Sequence, residues 1–382
     1  MSSGRDEVST RPAQKIGHRF LEQTMRTKRS WTSMTLCLTV STVTATVVAL
    51  ATPANAATDD PLFGKQWGLT QIKATQAWST STGAGVVIAI VDSGVDLDHP
   101  DLQSKLVPGA TFTGCPEGQR PCGNGDWKGP DGVGSTIDVH GTHVAGIAAA
   151  ATGNGIGIAG VAPDAQIMPV KVVENIGTYE DIGEGVRWAV DHGADVVNLS
   201  LSGLPNDQLL AVVGIEKRLS DAIAYAVSKG VAVVAASGNT ALPLCLDPAF
   251  TRDVICVVGT DRQELKGWYS HFGLKPDLKI VSAPGGAGLL NCDDNVWSSV
   301  PRGTGTGTCG QGDYDAVAGT SMASPHVAGV AALLAAQGRS VPDIYNAILR
   351  TARTPFVPGP PRGVYTPLYG YGIVDAAAAV AA

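Results

Sequence analysis

Apolar positions along the chain fall into two alternating patterns. Val86–Val91 is a continuous apolar run of strand length that ends on Asp92, as expected for a strand covered on both faces. Runs of the same kind recur at Ile167–Val173, Asp195–Ser202, Val231–Ala236, Val254–Gly259 and Lys279–Ala283. Between and after them the pattern is helical, at Ala74–Trp78, Asp138–Ala150, Tyr179–Asp191, Gln208–Lys229, Met322–Leu334 and Pro342–Thr351. Ala57–Lys73 reads as a polar arm packed onto the domain, and Gly370–Ala376 closes the chain. Strands alternating with helices predict an α/β protein, a mostly parallel central sheet with helices on both faces.

The Met322–Leu334 helix has no wet face, since nearly every residue is small or apolar, and it is expected to run through the core. Pro325 fits its first turn, where a missing N–H costs nothing. A buried helix points its N-terminal amides and positive dipole end at whatever precedes it. Ser321 stands there and is the candidate nucleophile; the plainer reading is an N-cap. Asp92 follows a buried strand, at the edge where parallel sheets gather functional groups, although Asp-Ser-Gly also favours a turn. His140 enters a second small-residue helix and is the candidate base. Asn239 places an amide donor after the Val231 strand, at the same edge as Asp92. His143 and His326 read as packed helix residues. With no glutamate between His140 and His143 and no third histidine nearby, a zinc site is not supported. The glycines of Ala151–Gly160 follow a helix and lack a P-loop lysine, which argues against nucleotide binding.

Composition narrows the setting. The 382 residues are 44% hydrophobic, 16% charged and 5% aromatic, with 47 Gly and a formal net charge of −7; that suits a soluble α/β protein and not a partner of nucleic acid or anionic membrane. Residues 1–56 read as a targeting segment: a basic Met25–Arg29, an apolar Trp31–Leu50 and a small-x-small site at Ala54–Ala56, leaving 57–382 as one domain and the mature protein secreted and extracellular. A retained membrane anchor is disfavoured because threonines dilute the apolar stretch. Seven of the 27 Lys and Arg and three of the 34 Asp and Glu lie in that segment, so 20 face 31 in the remainder, a formal −11. Cys37 leaves with it. The other six cysteines are expected to pair as sequential neighbours, each pair within one loop region: Cys115 with Cys122, Cys245 with Cys256, and Cys292 with Cys309.

Three boxes, Ile90–Gly94 around Asp92, His140–Gly146, and Gly319–Pro325 around Ser321, stand in an order that resembles the subtilisin-like serine proteases, and among them the thermitase-like secreted branch. The resemblance runs from about Asp60 to Ala379. It implies a serine endopeptidase in which Ser321 attacks, His140 relays the proton, Asp92 orients the imidazole and Asn239 donates to the oxyanion. It also implies that Ser200, Leu201, Ser202 and Gly203 form the edge on which a peptide or protein substrate lies as an added strand, with Gly177 opposite. Ala236, Ser237 and Gly238 would wall a pocket for the residue before the scissile bond (P1). Thr240, not an acid, follows Asn239, so an apolar or neutral P1 residue is expected. Ser202 stands where the family more often has glycine. Thermitase-like relatives further imply one structural calcium ion, held by Asp60, Asp101, the Asn154 side chain and the carbonyls of Ala151, Ile156 and Ile158. The protein is expected to be a monomer. The rival reading is a secreted, catalytically silent peptide-binding module on the same fold.

Overall fold

The computed structural model describes residues 58–128, 138–174, 177–203, 217–288, 291–355 and 361–382. The targeting segment and the first part of the helix expected from Gln208 lie outside the described residues.

Seven parallel strands form the central sheet: β1 (Val87–Asp92), β2 (Ala110–Thr111), β3 (Gln166–Lys171), β4 (Val196–Leu199), β5 (Ala232–Ala236), β6 (Ile255–Thr260) and β7 (Ile280–Pro284), in the order β2-β3-β1-β4-β5-β6-β7. The chain starts in the middle and is wound outward both ways, so β1 and β4 lie side by side with their carboxyl ends at one edge. Side chains alternate across the pleat. Ile88 and Ile90 enter one core and Ala89 and Val91 the other, which is why β1 reads as apolar at every position.

On the first face lie α3 (His140–Ala149), following the short α1 (Trp67–Gln71) and α2 (Ala74–Ala77), and further along the chain α6 (Thr320–Ala335), with α7 (Val341–Thr351) and α8 (Ala376–Ala381) beside it. The second face carries α4 (Tyr179–Asp191) and α5 (Lys217–Ser228). Val327, Val330, Leu333 and Leu334 of α6 are fully buried, each contributing about 1.5–3 kcal/mol relative to exposure. Among the described residues no helix is long and apolar enough to cross a membrane.

Four local expectations are corrected. The arm before Lys73 is helical in its second half, because Leu69 and Ile72 drop into the core. The strand expected over Asp195–Ser202 ends at Leu199, where the chain leaves the sheet. Two antiparallel strands, β8 (Val296–Ser299) and β9 (Tyr314–Val317), cover α3 and were not foreseen. Helix α6 begins at Thr320, so Pro325 lies inside it rather than in its first turn. The carbonyl that Pro325 leaves without a helical donor, that of Ser321, accepts instead from Ser200 Oγ at 2.8 Å, which offsets the lost bond.

The three disulfides are Cys115–Cys122, Cys245–Cys256 and Cys292–Cys309, as expected. The two ends of the described domain also meet. Asp375 Oδ2 binds Lys73 Nζ at 2.6 Å and Arg362 Nη1 at 2.8 Å, its Oδ1 caps α8 through Ala378 N, and Ala376 N donates to Ile72 O.

Candidate active site

Four elements each deliver one candidate side chain to the carboxyl edge of the sheet. Asp92 is the last residue of β1, His140 the first of α3, Ser321 the second of α6, and Asn239 follows β5. Asp92 Oδ1 lies 2.7 Å from His140 Nδ1 and also accepts from Ser93 N. A carboxylate can only accept, so Nδ1 carries the hydrogen and Nε2 keeps its lone pair. Burial alone would lower the His140 pKa, but the charge and hydrogen bond of Asp92, and then the charge of Asp138, hold it above its ordinary 6.5. Asp138 accepts from His140 N, and its own pKa is raised by burial.

Ser321 is not the N-cap. That position is Gly319, and no side chain of the segment caps the helix. Ser321 Oγ donates to Ser200 O at 3.1 Å. The terminus is satisfied from other elements: Thr320 N and Thr320 Oγ1 both donate to Asn239 Oδ1 at 2.9 Å, and Gly238 N donates to Thr320 Oγ1. With Oδ1 engaged on both counts, the Asn239 carboxamide is fixed and its NH2 is the free end, on an exposed side chain.

Beneath Ser321 runs a buried polar chain. Ser324 Oγ donates to Asn198 Oδ1 at 2.7 Å, Asn198 Nδ2 to Ser200 Oγ at 2.9 Å, and Ser200 Oγ to Ser321 O. Asn198 and Ser324 are fully buried, and a buried amide is costly unless bonded in this way. Neither residue was singled out from the sequence, although a lone asparagine within the apolar β4 was a usable signal. Thr320 was missed too.

Ser200 and Ser237 directly follow the neighbouring strands β4 and β5. Between them lies a segment the sequence did not mark: Leu246 N donates to Ser237 O and Gly203 N to Asp247 O. Asp247 Oδ1 accepts from Thr251 Oγ1. Leu201, Ser202, Ala236 and Gly238 lie on these same two segments, and Gly177 immediately precedes the cap of α4. His143 and His326 are packed helix residues. Burial pushes them down to about 3 and about 4, His140 adding to the effect on His143, so both are neutral.

The other expected cluster lies where the loop after α3 meets the N-terminal arm. Asp60 accepts from Gly153 N and Asn154 N, and Asp101 from Ile158 N at 2.9 Å. Both carboxylates are buried, and among the described residues neither is paired with a lysine, arginine or histidine. Burial, reinforced by the charge of Asp60, pushes Asp101 up to about 6. Two buried carboxylates short of positive charge are the chemistry a hard cation fits. Asn154 turns its NH2 toward Asp101 Oδ1 at 2.9 Å, while its Oδ1 accepts from Ile156 N; the amide has to turn over to offer oxygen.

Residues 83–372 match the subtilase family. The chain is 41% identical over 297 residues to thermitase of Thermoactinomyces vulgaris, covering 77% of this chain and 91% of that one. Over 318 residues it is 35% identical to subtilisin BL of Lederbergia lenta, covering 82% and 97%. A solved protease structure from Pseudoalteromonas arctica superposes with a TM-score of 0.69 at 32% identity, covering 85% of this chain and 98% of the other. On the strength of these matches and of the fold, the chain belongs to the subtilisin-like serine proteases, the subtilase family, in their thermitase-like branch.

Proposed function

We propose that this serine endopeptidase cleaves peptide bonds through Asp92, His140 and Ser321, with Asn239 and the Ser321 N–H as oxyanion donors. The observation that carries the reading is the 2.7 Å contact of Asp92 Oδ1 with His140 Nδ1, which leaves Nε2 as the acceptor that a general base needs. In attack, the Ser321 hydrogen swings from Ser200 O to that nitrogen as Oγ bonds to the scissile carbonyl carbon. The proton then passes to the leaving amine, and water repeats the sequence on the acyl-enzyme. Asn239, its carboxamide fixed by Thr320, is oriented before charge develops, which is when such a donor is worth most. Ser200–Gly203 and Gly177 take the substrate backbone, and Ala236–Gly238 wall the P1 pocket. A preference for apolar or neutral P1 residues belongs to the same proposal, since Thr240 and not an acid follows Asn239.

Calcium belongs to the same proposal. Asp60, Asp101, a turned-over Asn154 and the carbonyls of Ala151, Ile156 and Ile158 would hold it, and its charge would anchor the N-terminal arm to the loop after α3. Residues 1–56 are assigned to export and 57–382 to the peptidase domain, making the enzyme a secreted monomer.

Labelling with a serine-directed fluorophosphonate tests the chemistry. Ser321→Ala should lose all label and nearly all hydrolysis, a drop of about 10⁶ in kcat, the loss subtilisin shows for its own serine. Full activity in that variant would refute the assignment, and label-free, inactive parent protein would favour the silent binding module. For calcium, chelation should lower the melting temperature of the parent but not of Asp101→Asn. Equal melting temperatures in excess calcium and excess chelator would rule the ion out.

A further inference from the structure

We infer that His271 is a positioning residue for the oxyanion donor, bracing from behind the turn that carries Asn239; the inference rests on the assignment of Asn239 to that role. His271 lies in the connection between β6 and β7 and is fully buried. Its main chain is bonded to the turn: His271 N donates to Gly238 O at 3.0 Å, and Ser237 Oγ donates to His271 O. Both ring nitrogens are engaged as well. Nδ1 lies 2.9 Å from Leu244 O, and Nε2 lies 2.7 Å from Thr240 Oγ1. A carbonyl can only accept, so Nδ1 carries the hydrogen and Nε2 takes the hydroxyl hydrogen of Thr240. Burial holds the imidazole below its ordinary pKa, in keeping with this neutral form.

The ring also sets the shape of the turn. A Cβ built on Gly238, whose φ is +115°, would lie 3.0 Å from His271 Nδ1. Position 238 is therefore restricted to glycine both by its backbone and by the ring packed against it. Asn239 is consequently held from two sides. Thr320 fixes its carboxamide from α6, and His271 fixes its backbone by tying down the residue before it and the residue after it. An exposed side chain on a surface turn has no packing of its own to hold it. A donor contributes to catalysis only when it is already in place, and a displacement of about 1 Å costs as much as about 10²-fold in rate. A histidine that merely filled the core would stabilise the protein without selectively affecting kcat.

The test is steady-state kinetics on the full chain with a peptide substrate, active sites being counted by fluorophosphonate titration. His271→Ala should lower kcat about tenfold with KM little changed, a fraction of the full loss on removing the donor. His271→Gln, which keeps an acceptor for Thr240, should recover part of it. Thr240→Val, which removes only the hydroxyl bond, should show the same kcat-selective loss and serves if His271→Ala does not fold. Asn239→Ala should lose about 10² to 10³ in kcat, the loss subtilisin shows for its own oxyanion asparagine. The double variant His271→Ala with Asn239→Ala should be no slower than Asn239→Ala alone, because the brace then has nothing to act through. Unchanged kcat in both His271→Ala and Thr240→Val overturns the inference while leaving Asn239 in its role, and so do losses that multiply in the double variant. Unchanged kcat in Asn239→Ala overturns the oxyanion assignment itself, and this inference with it.

Discussion

At their centres the two faces of the sheet are covered by helices of opposite character. On one, α4 and α5 are amphipathic surface helices. Thr178 caps α4 by accepting from Asp181 N, and the pair is joined at its exposed side by an Arg218–Glu180 ion pair, with Lys217–Asp221 along α5. On the other, α3 is buried from Gly141 to Ala149, and α6 is buried except at Ser321 and Ala335. Neither has a side-chain cap. A helix that is stabilised from within has used up the groups at its start. One that is held by its surroundings leaves the side chains at its start to bond with other elements, as His140 does with Asp92 and Ser321 with Ser200. The proposed chemistry lies on the two helices whose local helix signals are weakest.

The contrast is broken most severely at Asp92. Asp92→Asn should lower kcat by about 10⁴ by leaving the imidazole in the wrong tautomer, with the fold retained by circular dichroism. It should also move the pH profile. In the parent, His140 must be neutral to act and its pKa is raised above 6.5 against the effect of burial, so kcat/KM should rise through a pKa above that value. Removing the charge of Asp92 should shift this limb to lower pH; a limb that stays put would mean that Asp92 does not set it. Next in size is Asn198→Ala, which strands the hydroxyl of Ser324 and strips a donor from Ser200. A loss of about 1–3 kcal/mol is expected from the denaturant midpoint, together with a lower kcat because Ser200 Oγ supports the Ser321 carbonyl. The smallest effect belongs to the other face, where Arg218→Ala should cost about 0–1 kcal/mol and leave kcat unchanged. A kcat loss there would erase the distinction drawn between the faces.

The same division explains what could be read from the sequence. Strands buried on both faces leave an unmistakable apolar run, so β1, β3 and β5 to β7 were legible within a residue or two. Asp92 and Asn239 were legible as candidate positions because each comes at or just after the end of such a strand, and His140 and Ser321 because each stands at the start of an apolar helix. What the sequence hid were satisfactions between distant residues. Pro325 by itself favours a helix start near it, but Ser200, 121 residues earlier, supplies the missing donor. Thr320, Asn198 and Ser324 look like ordinary small polar residues until their partners are known. The hairpin of β8 and β9 lay in a polar, glycine-rich stretch, where its short alternation at Val296–Ser299 was too brief to stand out. His271 carried no motif at all.

The Asp375 carboxylate gives the molecule a property that none of its catalytic groups supplies. It ties down Lys73, 302 residues away, and at the same time caps the last helix, so the domain is laced shut where its first and last segments meet. Ends are where chains fray and proteolysis begins. Here lifting the Lys73 segment strips a counter-ion from the group that starts the last helix, and unwinding that helix loosens the hold on Lys73. For an enzyme that works among its own active copies, the two segments that meet at Asp375 thereby have to be released together before either can be cut.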